Sequence, residues 1–175
     1  MTLRTRQATE RDLDAIELIY THIHDECEQG RACTGWIRGV YPTRETARAA
    51  LERGDLFVQE MAGQVVGSAI INRIQVDVYR GAHWTQDAPE DQVMVLHTLT
   101  IEPRCKGRGL GTAFVAFYEE YALAHGCRFL RMDTNARNVS ARSLYKRLGY
   151  REIDILPCEF NGIPDVRLVL LEKTL

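Results

Sequence analysis

The sequence predicts a mixed α/β sheet with helices on both faces, and three observations carry that expectation. Strand-like and helix-like segments follow one another in the order β-α-α-β-β-β-α-β-α-β-β. The 175 residues suit one compact domain and leave little room for a second. Hydrophobic residues at 45% and charged residues at 26% are ordinary for a globular chain, and a chain this long buries on the order of 70% of its unfolded surface.

Leu3 to Ala8 reads as a short first strand. Thr9, with Asp12 three residues on, is a helix-start signal, and Leu13, Ile16, Tyr20, Ile23 and Cys27 recur at helical spacing. Gly30 to Tyr41, with two further glycines before Pro42, reads as a loop that carries Trp36, Arg38 and Tyr41. A second helix begins at Thr43 and ends near Gly54. Asp55 to Met61 and Gln64 to Ile74 are strands whose tight connection at Ala62-Gly63 argues for a hairpin. Residues 75 to 90 are polar and read as a long connection, after which Gln92 to Ile101 is a strand. Leu110 to His125 is a helix with Leu110, Phe114, Phe117 and Tyr121 as its expected core stripe. Arg128 to Asp133 is a strand, Asn138 to Leu148 a helix closed by Gly149, and Tyr150 to Leu156 pairs with Val166 to Glu172 through Asn161-Gly162.

Several function classes are set aside on composition. A net charge of -2 argues against general nucleic-acid binding, which usually needs a basic stripe. No apolar run approaches the roughly 20 residues of a membrane span, and the first residues lack the apolar stretch of a secretory signal. Five cysteines without zinc-knuckle or redox spacing point to reduced thiols in a cytoplasmic protein. No metal site is expected: His22 and His24 would point roughly 200° apart on a helix, which leaves a solvated face.

The chemistry concentrates in two stretches. From His97 to Gly111 a strand runs out at Pro103, and a basic turn punctuated by glycine leads into a helix. Gly107, Gly109 and Gly111 allow a tight turn and close approach to a ligand, the helix N-terminus favours an anion, and Arg104, Lys106 and Arg108 add charge. This is chemistry for a diphosphate. Phe114 stands where a dinucleotide fingerprint needs glycine, and no Gly-Lys-Ser/Thr is present, so neither the Rossmann nor the Walker pattern applies. About 30 residues later, Asn138, Ala141 and Tyr145 fall at i, i+3 and i+7 on one helix face and form one wall of a slot for a long thin ligand.

The pattern Arg104-x-x-Gly107-x-Gly109 resembles the acyl-CoA-binding signature of the Gcn5-related N-acetyltransferase (GNAT) superfamily, and Asn138-x-x-Ala141-x-x-Leu144-Tyr145 followed by Leu148-Gly149-Tyr150 resembles its second signature. The resemblance is closest from Val93 to Tyr150 and implies a mostly antiparallel central sheet flanked by helices, in one domain over residues 1–175. It implies acetyl-CoA as co-substrate, with the pantetheine arm entering where the fourth and fifth strands splay, along Leu96 to Ile101 and Leu130 to Asn135. The cofactor contacts it implies are the backbone of Leu99 and Ile101, the turn Arg104, Lys106, Gly107, Arg108, Gly109, Leu110, Gly111 and Thr112, and Asn138.

The reaction that follows is direct attack of an amine on the thioester, with no cysteine nucleophile. A free alkylamine has a pKa of about 10, so the site needs a route for its proton. Tyr145 resembles the family's general acid. His97, on the fourth strand two residues before Leu99, is the expected base, with Glu102 and Asp133 as lesser candidates. Trp36, Arg38 and Tyr41 either form a lid over the acceptor, with Arg38 reading an anionic group, or pin their loop to the body of the domain; Asp133 is a further acceptor-side candidate. The acceptor is a small-molecule or peptide amine, and a homodimer through the C-terminal strands is compatible with the family. The rival reading is a non-catalytic acyl-CoA-binding module.

Overall fold

A computed structural model describes residues 2–175. Seven strands form one sheet in the order β1-β2-β3-β4-β5-β7-β6: β1 (Leu3–Gln7), β2 (Leu56–Met61), β3 (Gln64–Asn72), β4 (Val93–Ile101), β5 (Phe129–Asn135), β6 (Arg151–Phe160) and β7 (Ile163–Thr174). Every neighbouring pair is antiparallel except β4 and β5. That parallel pair is joined through the helix α3 (Leu110–Ala124), since a parallel connection needs a long crossover. The two hairpins turn where expected. Ala62-Gly63 (φ 52° and 79°) and Asn161-Gly162 (φ 53° and 76°) both have the left-handed pair that a two-residue hairpin turn requires.

Helices α1 (Leu13–Glu28) and α2 (Arg44–Arg53) cover β1–β3 on one face. Thr9 and Asp12 cap each other reciprocally ahead of α1, and Arg6 holds Asp12 at 2.8 Å. Leu13, Ile16 and Tyr20 bury against Leu56, Val58 and Ile70. The other face is covered by α3 and α4 (Val139–Arg147), over a core that includes Phe57, Met94, Leu96, Leu130 and Met132. The buried stripe of α3 is Leu110, Phe114, Val115, Tyr118 and Ala122 rather than the expected 110/114/117/121. Tyr118 is tolerated inside because its hydroxyl donates to the Met94 carbonyl at 2.6 Å. Phe117 and Tyr121 instead pack at the margin against Phe57, at centroid distances of 5.6 and 5.0 Å.

Two further expectations change. The face of α1 with His22 and His24 is not a solvated one: His24 is buried with its Nε2 donating to the Pro42 carbonyl at 3.2 Å, and His22 meets Glu102 at 2.8 Å. The segment 75–90 is not merely a polar connection. It folds back over β4, β5 and β7, burying Tyr79 with Val93, Val95, Leu168 and Leu170. Sheet and segment are tied by Trp84, whose ring lies 4.1 Å from the Arg131 guanidinium and whose indole N–H reaches the Tyr79 carbonyl at 2.9 Å. The sheet therefore has helices on both faces, as predicted, but a loop closes the half of one face that the site uses.

Candidate active site

The site exists because one strand pair comes apart. β4 and β5 pair only from Val93–Phe129 to Leu96–Met132. Just beyond, β4 takes an extra residue relative to β3, and Thr98 adopts a positive φ of 49°. Among the described residues, Thr98 and Leu99 have no register partner on either neighbouring strand. Their main-chain groups thus border a gap, and the gap opens into a cavity of about 640 Å³ that passes from one face of the sheet to the other.

On the α3/α4 face the cavity is walled by Leu99, Ile101, Gly111, Ala141, Leu144 and Tyr145. Gly111 lets the two helices meet, since a Cβ there would come within 3.1 Å of Leu144 Cδ2. Asn138 caps α4 by accepting from the Ala141 N–H at 3.2 Å, which fixes Tyr145 two turns further along. The mouth on this side is the glycine turn. Glu102 accepts from the Arg104 N–H at 3.2 Å, and Gly109 stands as the N-cap of α3 with φ 73° and no side-chain cap. A Cβ on Gly107 or Gly109 would meet nothing within 4 Å, so these glycines serve the backbone conformation and leave the turn's surface open. Arg104, Lys106 and Arg108 are exposed and form no ion pair among the described residues. Uncapped helix amides beside three unpaired cations fit a diphosphate group.

Of the residues expected in the cofactor set, Leu99, Ile101, Lys106, Gly111 and Asn138 border the cavity. Arg104, Gly107, Arg108, Gly109 and Thr112 lie exposed around its mouth, and the Leu110 side chain is buried in the core.

Through the slot, the other half of the cavity is walled by Trp36, Tyr41, Val76, Phe160, Ile163 and Leu168. Trp36 and Tyr41 meet edge-on with centroids 6.0 Å apart, and the Tyr41 hydroxyl bonds to Thr98. The same aromatic residues line the cavity and pin the loop to the body of the domain. Arg38 does neither: it lies off the cavity wall, exposed, held by Glu28 at 2.8 Å and Asp25 at 2.6 Å.

Asp133 sits on β5 with its side chain on the face opposite Met132, and its Oδ2 accepts from the Tyr79 hydroxyl at 2.7 Å. Burial pushes its pKa up to about 6, against the pull of the Tyr79 hydrogen bond. Burial, reinforced by the charge of Asp133, holds the Tyr145 phenol well above its ordinary value. The same two influences take Tyr41 up to about 12, against its bond to Thr98. His97 also borders the cavity, with its Nε2–H engaged by Asn72 Oδ1 at 2.9 Å; burial lowers it to about 4. Sequence reasoning missed Tyr79, Thr98 and the wall supplied by Phe160, Ile163 and Leu168. Tyr79 lay in a polar stretch with no periodicity to mark it, and the β7 residues acquire their role only through strand order.

The family model described as the acetyltransferase (GNAT) family matches residues 17–150. An uncharacterized N-acetyltransferase of Methanocaldococcus jannaschii is 31% identical over 96% of this chain and 90% of its own length. A second from the same organism is 26% identical over 89% of the chain, which spans only 63% of that relative's length. Among solved structures, a GNAT-family acetyltransferase from Streptococcus agalactiae superposes with a TM-score of 0.82 at 22% identity, covering 99% of this chain and 95% of that one. A Salmonella typhimurium protein solved with its cofactor acetyl-CoA superposes at 0.69 with 18% identity, over 99% and 94%. Two signatures on the elements that build the slot, and a family match across most of the chain, agree: the chain belongs to the acetyltransferase (GNAT) family of enzymes.

Proposed function

We propose that the protein transfers an acetyl group from acetyl-CoA to a primary amine by direct attack, with the cofactor and the acceptor meeting from opposite faces of the sheet at the β4–β5 gap. The single observation that carries this is the cavity itself, which joins an open, cation-rich glycine turn on one face to a carboxylate on the other. The exposed turn Arg104–Gly109 and the first amides of α3 hold the pyrophosphate, and the strand edges along Leu99 and Ile101 take the pantetheine arm.

An ammonium and a thioester become an amide, a thiol and one released proton. Asp133 takes the first proton, and its raised pKa makes it a better acceptor near neutrality than an ordinary carboxylate. It is preferred to His97, which is neutral, weakly basic and already bonded to Asn72. Main-chain N–H groups at the bulge near Leu99 polarise the carbonyl. Tyr145 keeps its proton at neutral pH and presents it to the departing sulfur, and the second proton of the amine restores the phenol.

The test is thermal unfolding with and without acetyl-CoA, followed by thiol release in the presence of amines. At 100 times its dissociation constant the ligand stabilises the fold by about 2.7 kcal/mol, or about 5 to 11 °C for a chain of this size. Absence of a shift would reject the cofactor. A shift without thiol release for any amine would leave a binding module and reject the enzyme.

A further inference from the structure

The acceptor half of the cavity has an unbalanced chemistry. Three acidic side chains border the cavity: Glu26, Glu102 and Asp133. Glu26 is taken by Arg31, whose Nε lies 3.0 Å from both of its oxygens, and Glu102 by His22 and the Arg104 amide. Asp133 alone has no cation against it among the described residues; its one hydrogen bond comes from the neutral phenol of Tyr79. None of the cations that border the cavity is in contact with Asp133. Lys106 is on the glycine turn and Arg31 is held by Glu26; Arg137, exposed just past β5, lines the neighbouring rim with Gly35 and Ile163 and has no ion pair among the described residues. This half is walled mainly by the aromatic and aliphatic groups of Trp36, Tyr41, Val76, Phe160, Ile163 and Leu168, with the uncharged Thr98, Asn135 and Asn161 also bordering it.

This half is also roofed. Gly35 lies so close to β5 that a Cβ there would come within 2.1 Å of Asn135 Nδ2. At the hairpin tip a Cβ on Gly162 would be 3.4 Å from Val40 Cγ1, and Tyr41 bonds to Thr98 in between. The loop from Thr34 to Tyr41 thus rests on both the end of β5 and the β6–β7 tip.

We infer that the acceptor is a small primary amine carried on an uncharged, apolar or aromatic body, with its ammonium paired to Asp133. An α-amino acid would place its carboxylate beside Asp133, with only the exposed Arg137 at the rim as a cation, at the cost of like-charge repulsion and unpaired burial. A polyamine would leave its second ammonium against apolar walls with no free carboxylate. A peptide terminus needs an open groove, and the roof supplies none. The inference rests on the acetyl-transfer reading above.

A matched pair of amines tests it. With the full chain and saturating acetyl-CoA, thiol release is compared for 2-phenylethylamine, phenylalanine, spermidine and a short peptide. The phenylethylamine kcat/KM is expected to exceed that of phenylalanine, which differs only by the carboxylate, by about 100-fold or more. In parallel, the CoA-bound protein should gain thermal stability from 2-phenylethylamine, and Asp133→Asn should lose that gain while keeping its response to CoA. Equal or better turnover of phenylalanine, spermidine or the peptide overturns the acceptor class. So does an intact acetyl-CoA response with no binding or turnover of 2-phenylethylamine. Loss of the acetyl-CoA response in the unmodified protein is a different result and overturns the acetyl-transfer reading itself.

Discussion

The two halves of the cavity are built in opposite ways. The α3/α4 half comes from two nearly continuous stretches, Leu99–Gly111 and Asn138–Tyr145, and depends on backbone: glycine turns, a helix N-terminus, unpaired strand edges. The other half is assembled from the loop before α2, the segment 75–90, the end of β5 and the β6–β7 hairpin, and depends on side chains. A backbone site reads an invariant group such as a diphosphate. A side-chain site is free to change acceptor while the sheet stays the same.

Removing the charge on the acceptor side is the sharpest way to separate the halves. Asp133→Asn should lower kcat/KM by about 10² to 10⁴, the usual span for a positioned proton acceptor, while leaving the acetyl-CoA thermal shift intact. The same variant should be more stable than the parent at high pH. The folded-state pKa of Asp133 is raised, from 3.8 to about 6, so its protonated form is the one the fold favours. That favour is fully present below pH 4 and lost as pH rises through about 6, where the ionised carboxylate costs at most about 3 kcal/mol. Unfolding curves for parent and variant should therefore coincide below about pH 4, draw apart between pH 4 and 6, and stay apart above pH 6. Across that range Tyr79, Tyr41, Tyr145 and Cys158, which feel the charge of Asp133, all stay neutral because burial raises each of them. Coincident curves at every pH would show that the carboxylate is not desolvated.

On the cofactor side the expected losses are next in size. Tyr145→Phe removes the proposed proton donor and keeps the packing with Tyr150, whose ring lies 6.1 Å away. It should cost about 10² in kcat with the acetyl-CoA shift retained. Gly109→Val puts a side chain where φ is 73° and nothing in the protein is within 4 Å. The fold should survive with a strain of roughly 1–2 kcal/mol, and the acetyl-CoA shift of about 5 to 11 °C should disappear. If that shift persisted, the turn would not be the phosphate site. The smallest effect is expected from Arg38→Ala. Its ion pairs with Asp25 and Glu28 are exposed and it lies off the cavity wall, so neither KM nor the melting temperature should move measurably. A raised KM for the acceptor would put Arg38 back among the residues that read it.

The contrast between the halves also explains how much was legible. Gly107, Gly109, Ala141 and Tyr145 could be read from spacing because a turn and a helix face are local properties, set within a few residues; that Asn138 caps its helix rather than lying on it came from the structure. The two hairpin turns at Ala62-Gly63 and Asn161-Gly162 were legible for the same reason. Tyr79 was not, because its burial depends on a segment without periodicity folding over strands distant in sequence. The proposal of Asp133 rather than His97 as the base rests on environment: Asn72 and burial weaken one, and a desolvated, cation-free setting strengthens the other. Burial and counter-charges are long-range facts that a motif does not contain.

By itself the sequence determined the order of elements, the glycine turn with its cations and the capped helix that carries Tyr145, since each is encoded by neighbours in the chain. Only the tertiary structure decided where β4 and β5 part, which carboxylate is left without a cation, and that Trp36 and Tyr41 rather than Arg38 face the cavity. Those outcomes depend on strand register and on which distant side chains arrive together, and neither is set by residues close in sequence.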